Sequence, residues 1–314
     1  MNLFQRLFRS KQRTDAVSTQ FAPGNQNGVI GMIVDQERAW FRSYAANTYT
    51  GTGAVVDLGC FVGSSTIALA EGLLANGKVA SPQVHAYDRF VWDDFLKAWW
   101  EEKAFPPARV IDDSVLPEFL HRTSRWKDYI VVHQEDLNLT RWNRAPIEFL
   151  LIDAMKSAEL AQAIARAFYP YLMPGVSYVA HQDFAHFFTS WIHLLQFRLR
   201  DCFEVVADVP NSSTVVFRCL RRLTADDLNS VPFSSTPSSE IKEAFAYSLG
   251  VVSEDKQTNI IAAKAMAYIH RGELEQAQQT LRTIPADTRS LGRGLENVRA
   301  ILAERMQQAV KQGG

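Results

Sequence analysis

Four stretches of the chain carry residues able to act on a ligand together. In LIDAMKS, Asp153 and Lys156 stand three apart, so an amine lies one helical turn beyond a carboxylate and faces the same space. The run VSYVA is followed by His181, Gln182 and Asp183, a second carboxylate just after a buried-strand pattern. In AVVDLGCFVGSSTIALA, residues 54–70, a β-branched run gives way to a turn holding Asp57, Gly59 and Gly63, and then to a helical pattern. Asp88 closes the run VHAY, where a carboxylate at a strand's carboxyl end can accept both hydrogen bonds of a ribose diol. The spacing Asp57-x-Gly59-x-x-x-Gly63 opens on a carboxylate and has one residue more between its glycines than the dinucleotide fingerprint, which counts against NAD.

These residues need a parallel sheet to bring them to one edge. Apolar runs at 54–58, 84–87, 129–133, 148–152 and 176–180 predict five short buried strands, with helices between them. Residues 33–46 predict a helix leading into the first strand, its Trp40, Phe41 and Tyr44 spaced for the core. Residues 92–126 read as two helical stretches parted by Pro106 and Pro107, and 157–172 as a helix stopped by Pro174 and Gly175. Two further β-like runs lie at 203–206 and 214–219.

The turn at 57–64 resembles motif I of class I methyltransferases that use S-adenosylmethionine (SAM). The resemblance spans about residues 30–222. It implies an α/β, Rossmann-like, seven-stranded, mostly parallel sheet flanked by helices and closed by an antiparallel pair. It places SAM against Asp57, Gly59, Cys60, Gly63 and Ser64, with Asp88 and Arg89 at the ribose, Glu135 and Asp136 at the adenine, and Asp153 nearby. Asp153-x-x-Lys156 has the spacing of the metal-ligand aspartate and catalytic lysine in cation-dependent catechol and caffeoyl-coenzyme-A O-methyltransferases. The HQDF after the next strand is similar to the macrocin-type sugar O-methyltransferases, with Gln182 where those have a further aspartate. The resemblance thus implies magnesium on Asp153, Gln182 and Asp183, with Lys156, or alternatively His181, taking the proton of a hydroxyl acceptor. The acceptor it implies is a small molecule such as a sugar or phenol. The rival classes are a SAM enzyme acting on an amine or transferring an aminopropyl group, and a catalytically silent scaffold.

Composition bounds the rest. The chain has 314 residues, 47% of them hydrophobic, enough for one large domain and a small one. With 33 Lys and Arg against 34 Asp and Glu, it gives no global reason to expect nucleic-acid binding. Three scattered cysteines and no membrane-length apolar run read as a cytoplasmic protein. Residues 1–29 form an amphipathic segment, with Leu3, Phe4, Leu7 and Phe8 on one side for self-docking or membrane-surface contact, followed by a linker. Residues 30–222 are the methyltransferase domain, 223–246 a Ser- and Pro-rich linker, and 247–314 a helical unit with one tetratricopeptide-like hairpin. That unit is expected to pack on the main domain, form homo-oligomers or hold a partner, and to be dispensable for SAM binding.

Overall fold

The computed structural model describes residues 29–229, 232–285, 288 and 290–313. The amphipathic segment expected at the start of the chain lies outside the described residues.

Five short parallel strands form where the apolar runs predict them: β1 (Ala54–Leu58), β2 (Val84–Asp88), β3 (Ile130–Gln134), β4 (Ile147–Ile152) and β5 (Tyr178–His181). The antiparallel strands β6 (Phe203–Asp208) and β7 (Val215–Cys219) complete one seven-stranded sheet in the methyltransferase-like order β3-β2-β1-β4-β5-β7-β6. The strand order reverses beside β1, so the crevice for a ligand opens at the carboxyl ends of β1 and its neighbours. Register aligns those ends, with Leu58 opposite both Tyr87 and Ile152, and Ile152 opposite His181.

Each face of the sheet is covered by a different set of helices. On one face, α1 (Asp35–Ser43), a π-helical turn and α2 (Ser64–Ala75) bury Phe41, Tyr44, Leu69 and Leu73 against Val55, Phe149 and Leu151. Tyr44 stacks on Phe149 at 4.5 Å between ring centres, so these N-terminal aromatic residues are core, as their spacing predicts. The tryptophan-rich stretch forms α3 (Asp94–Glu102) and α4 (Leu116–Thr123), with Pro106 and Pro107 between them. The opposite face packs on α5 (Ala158–Phe168) and α6 (Ser190–Arg198).

Past residue 222 the structure departs from the expected linker. Residues 238–250, placed partly in that linker, form helix α7 (Ser238–Gly250), whose Ile241, Ala244 and Phe245 are fully buried. The breaker residues stop at Pro237, which starts the helix instead of preventing it. Next come α8 (Glu254–His270), α9 (Leu274–Arg282) and α10 (Gly294–Gly313). The α8–α9 hairpin turns at Gly272, whose φ of 76° suits a residue without a Cβ.

These helices share the sheet's core. One apolar cluster runs from Val56 and Leu150 through Ile192 and Leu195 to Phe245, Ile260, Met266, Leu295 and Ile301. Polar ties reinforce it: His193 Nδ1 pairs with Ser248 Oγ at 2.9 Å, and the buried Lys256 Nζ meets the Asp208 carboxylate and donates to the Val209 carbonyl at 2.6 Å. No helix among the described residues is long and apolar enough to cross a membrane.

Candidate functional site

The glycine turn is built by close backbone approach. The amides of Gly59 and Cys60 donate to the Tyr87 carbonyl at 2.8 and 3.3 Å, and Gly63 donates to the Cys60 carbonyl at 2.8 Å. Gly59 and Gly63 have φ of 88° and 95°, and a Cβ on Gly59 would come within 2.9 Å of the Asp153 carbonyl oxygen. Only glycine fits there, and the fit brings the turn against the end of β4. Asp57 lies behind the turn, fully buried, where its Oδ2 accepts from Ser65 Oγ at 2.8 Å and Thr66 Oγ1 at 2.6 Å. Its Oδ1 is buried without a partner among the described residues, and burial pushes its pKa up to about 6. Asp57 therefore fixes the start of α2. Cys60 is buried, and Ser64 Oγ accepts from Arg38 Nη1 of α1 at 2.9 Å.

Asp88 joins two turns. Its Oδ2 accepts from the Phe61 amide at 2.9 Å and its Oδ1 from the Phe90 amide at 2.7 Å. Phe61 and Phe90 have φ of 46° and 54°, a conformation that L side chains seldom adopt, so the carboxylate holds two strained residues in place. An ionised carboxylate offers about four lone-pair sites, which leaves acceptor capacity for a diol. Burial raises the Asp88 pKa.

At the end of β3, the Glu135 amide donates to the Asp88 carbonyl at 3.0 Å, which brings the third strand's edge to the second's. Glu135 and Arg89 are exposed. The Glu135 carboxylate accepts from Thr140 Oγ1 at 3.0 Å. Asp136 Oδ1 accepts from both the Asn138 amide and its side-chain nitrogen at 2.9 Å, hydrogen bonds that hold its pKa below the ordinary aspartate range.

The ends of β4 and β5 carry a compact ionic group. Lys156 Nζ donates to Asp153 Oδ1 at 2.7 Å and also to Asp183 Oδ2, so the two carboxylates do converge from adjacent strands. Gln182, with its amide nitrogen turned toward them, donates to Asp153 Oδ1 at 2.9 Å and Asp183 Oδ1 at 3.1 Å. Side-chain exposure is 52% for Lys156, 23% for Asp153 and 10% for Asp183, so the group opens outward at the lysine. Burial pushes Asp153 up to about 7, against the pull of Lys156, while Asp183 adds to the rise. Burial opposes the charge on Lys156, but Asp153 and then Asp183 outweigh it and raise its pKa above the ordinary lysine value. Lys156 is thus held as a cation.

His181 faces the interior. It is fully buried, its Nε2 lies 3.1 Å from Tyr169 Oη and 2.6 Å from the Gln196 side-chain nitrogen, and burial brings its pKa down to about 3. It has no access to an acceptor. Trp99, Trp100, Phe184, Phe187, Phe188 and Trp191 are all buried, and partly buried Trp92 packs against Trp100, which gives them core roles.

Three residues that support the site carry no local sequence signal. Glu37 of α1 is buried, accepts from Thr214 Oγ1 and the Val34 amide, and has its pKa pushed up to about 7, by burial first, with Asp183 adding to the rise. Trp191 Nε1 donates to the Met155 carbonyl at 2.8 Å, next to Lys156. Asn259 of α8 donates to the Ala185 carbonyl at 3.0 Å, two residues beyond Asp183. All three act across long stretches of chain.

The residues present fit SAM. The Gly59 and Gly63 cradle would be filled by a Cβ, and Asp88 keeps acceptor capacity beside it. The same test fails for magnesium. Hard divalent ions take about six oxygens. The place shared by Asp153 and Asp183 already receives the Lys156 ammonium, and Gln182 turns donors toward it. Among the described residues no group of three or more His, Cys, Asp or Glu side chains is arranged to hold a metal.

No family model and no curated protein matches the chain. Solved structures similar to it include the O-methyltransferase NovP, 15% identical with a TM-score of 0.46 over 61% of this chain and 82% of its own. A putative rRNA methylase from Clostridium thermocellum is 14% identical, with a TM-score of 0.37 over 61% of this chain and 99% of its own. Coclaurine N-methyltransferase, in a complex with N-methylheliamine and SAH (the demethylated product of SAM), is 14% identical, with a TM-score of 0.32 over 80% of this chain and 68% of its own. All three TM-scores lie below 0.5, so the functional reading rests on this molecule's own geometry.

Proposed function

We propose that the chain is a SAM-dependent methyltransferase acting on a hydroxyl of a small molecule. The observation that carries this reading is the meeting, at one sheet edge, of the glycine cradle and Asp88 with the group formed by Asp153, Lys156 and Asp183. SAM, when bound, supplies a methyl group on a positively charged sulfur. Asp88 accepts the ribose hydroxyls, and Glu135 and Asp136 border the adenine. Lys156 donates to the acceptor oxygen and orients it, while Asp153 accepts its proton through Oδ2, the oxygen that neither Lys156 nor Gln182 engages. With SAM held there, formation of the carbon–oxygen bond would be balanced by loss of the carbon–sulfur bond, whose electron pair would stay on sulfur. Lys156 contributes as fixed charge and not as the base.

The hydroxyl is favoured over an amine because an oxygen acceptor must lose its proton as it attacks, and the site provides a carboxylate beside a cation for that step. Calorimetry with SAH tests the reading. Stoichiometric binding that Asp88→Ala weakens is expected, and absence of SAH binding in the folded protein would leave the silent scaffold as the better account.

A further inference from the structure

The ionic group at the ends of β4 and β5 has a composition that a metal site lacks. Two carboxylates face each other, and the cation between them is part of the chain. Its place is fixed by more than charge: the Lys156 amide donates to the Ala154 carbonyl at 2.7 Å in a tight turn, and Trp191 Nε1 pins the intervening Met155 carbonyl at 2.8 Å. Gln182 closes the group with donors on both carboxylates. A dication brought between Asp153 and Asp183 would have to displace Lys156 from both and would then lie beside its positive charge, and the second strand would offer a single carboxylate in compensation.

We infer that Lys156 is the resident cation of this site, standing between Asp153 and Asp183 in place of a divalent metal ion, so that the protein works metal-free. An ammonium has three donors. Two are used on the carboxylates, and the third, on a half-exposed side chain, remains for one acceptor oxygen. A metal ion would grip two vicinal oxygens; this site needs one. The inference deepens the methyltransferase reading by assigning it acceptors with a single reacting hydroxyl, with no requirement for a catechol-like pair. It rests on that reading for the reaction, and on the chain alone for the ion.

The test is a manganese(II) titration of the full chain followed by electron paramagnetic resonance, with and without SAH. Wild type is expected to bind no manganese at millimolar concentration, whereas Lys156→Met, which leaves the carboxylates without their cation, should gain about one ion per chain and lose it again in Lys156→Met/Asp183→Asn. One ion per wild-type chain, lost in Asp183→Asn with the fold intact by circular dichroism, would overturn the inference. So would a folded Lys156→Met that gains no ion. If Lys156→Met does not fold, the wild-type titration decides alone. SAH affinity, read in the same samples, reports on the methyltransferase reading separately from the ion.

Discussion

The two halves of the site are built in opposite ways. Around the glycine turn, Gly59, Gly63, Asp88 and Glu135 are joined by hydrogen bonds within the turn and between neighbouring strand ends. At the ends of β4 and β5, the loops that carry Lys156 and Asp183 are held from a distance, by Trp191 of α6 and Asn259 of α8. The lesson is that a turn and the strand ends beside it can be read from a few short stretches, whereas an ionic group shared by two loops depends on the packing of the whole chain around it.

Deletion of the chain after Arg222 tests this contrast most severely. It removes Ile241, Phe245, Ile260, Met266, Leu295 and Ile301 from the shared core. At ~1.5–3 kcal/mol for each large apolar side chain, the loss rivals or exceeds a typical total stability of ~5–15 kcal/mol. The truncated chain is expected to show no cooperative thermal transition. A soluble, SAH-binding truncation would instead make the helices dispensable, as composition suggests.

A subtler break is Asn259→Ala, which removes bonds to the Ala185 and Leu291 carbonyls and from the Leu291 amide. The expected cost is ~3 kcal/mol, at about 1 kcal/mol per bond. Denaturant titration measures it, and SAH affinity at low temperature should stay near wild type. Equal loss of SAH binding would erase the distinction between the halves.

Asp88→Ala acts on the half built around the glycine turn. It should weaken SAH binding by about tenfold to a hundredfold, the value of ~1.5–3 kcal/mol for a charged hydrogen bond. The melting temperature should also fall, because Phe61 and Phe90 lose the acceptor that holds their left-handed conformations. Unchanged calorimetric affinity in a folded variant would remove Asp88 from the cofactor site.

Glu37 gives an effect that depends on pH and vanishes at its low end. Its pKa rises on folding from 4.5 to about 7, so its contribution is fully present below pH 4.5 and is lost as the pH climbs through 7. Glu37→Gln should therefore gain on wild type as pH rises, by on the order of 3 kcal/mol at pH 8, and should match it near pH 4. Parallel stability curves for the two proteins would show that the buried carboxyl carries no such load.

The strands, the glycine turn and the strand-end carboxylates were legible because apolar runs and punctuation are local. The state of Lys156 was not, since its charge depends on Asp183 reaching it from another strand. His181 was misleading for a related reason: strand periodicity places a residue on a face but does not say which face is filled, and here Tyr169 and Gln196 fill it. Helix α7 was hidden by the Ser- and Pro-rich segment before it, and Glu37 and Asn259 by the distance to the groups they hold.

The apolar cluster that joins Val56 to Ile301 also dictates when the protein can fold. During synthesis the outer side of α6 stays bare until the residues of α7, α8 and α10 have left the ribosome, since the side chains that cover it come last. Contacts so far apart in sequence make for slow, late closure and a long exposure of sticky surface. Sensitivity to premature stops far downstream of the sheet follows from that order of manufacture.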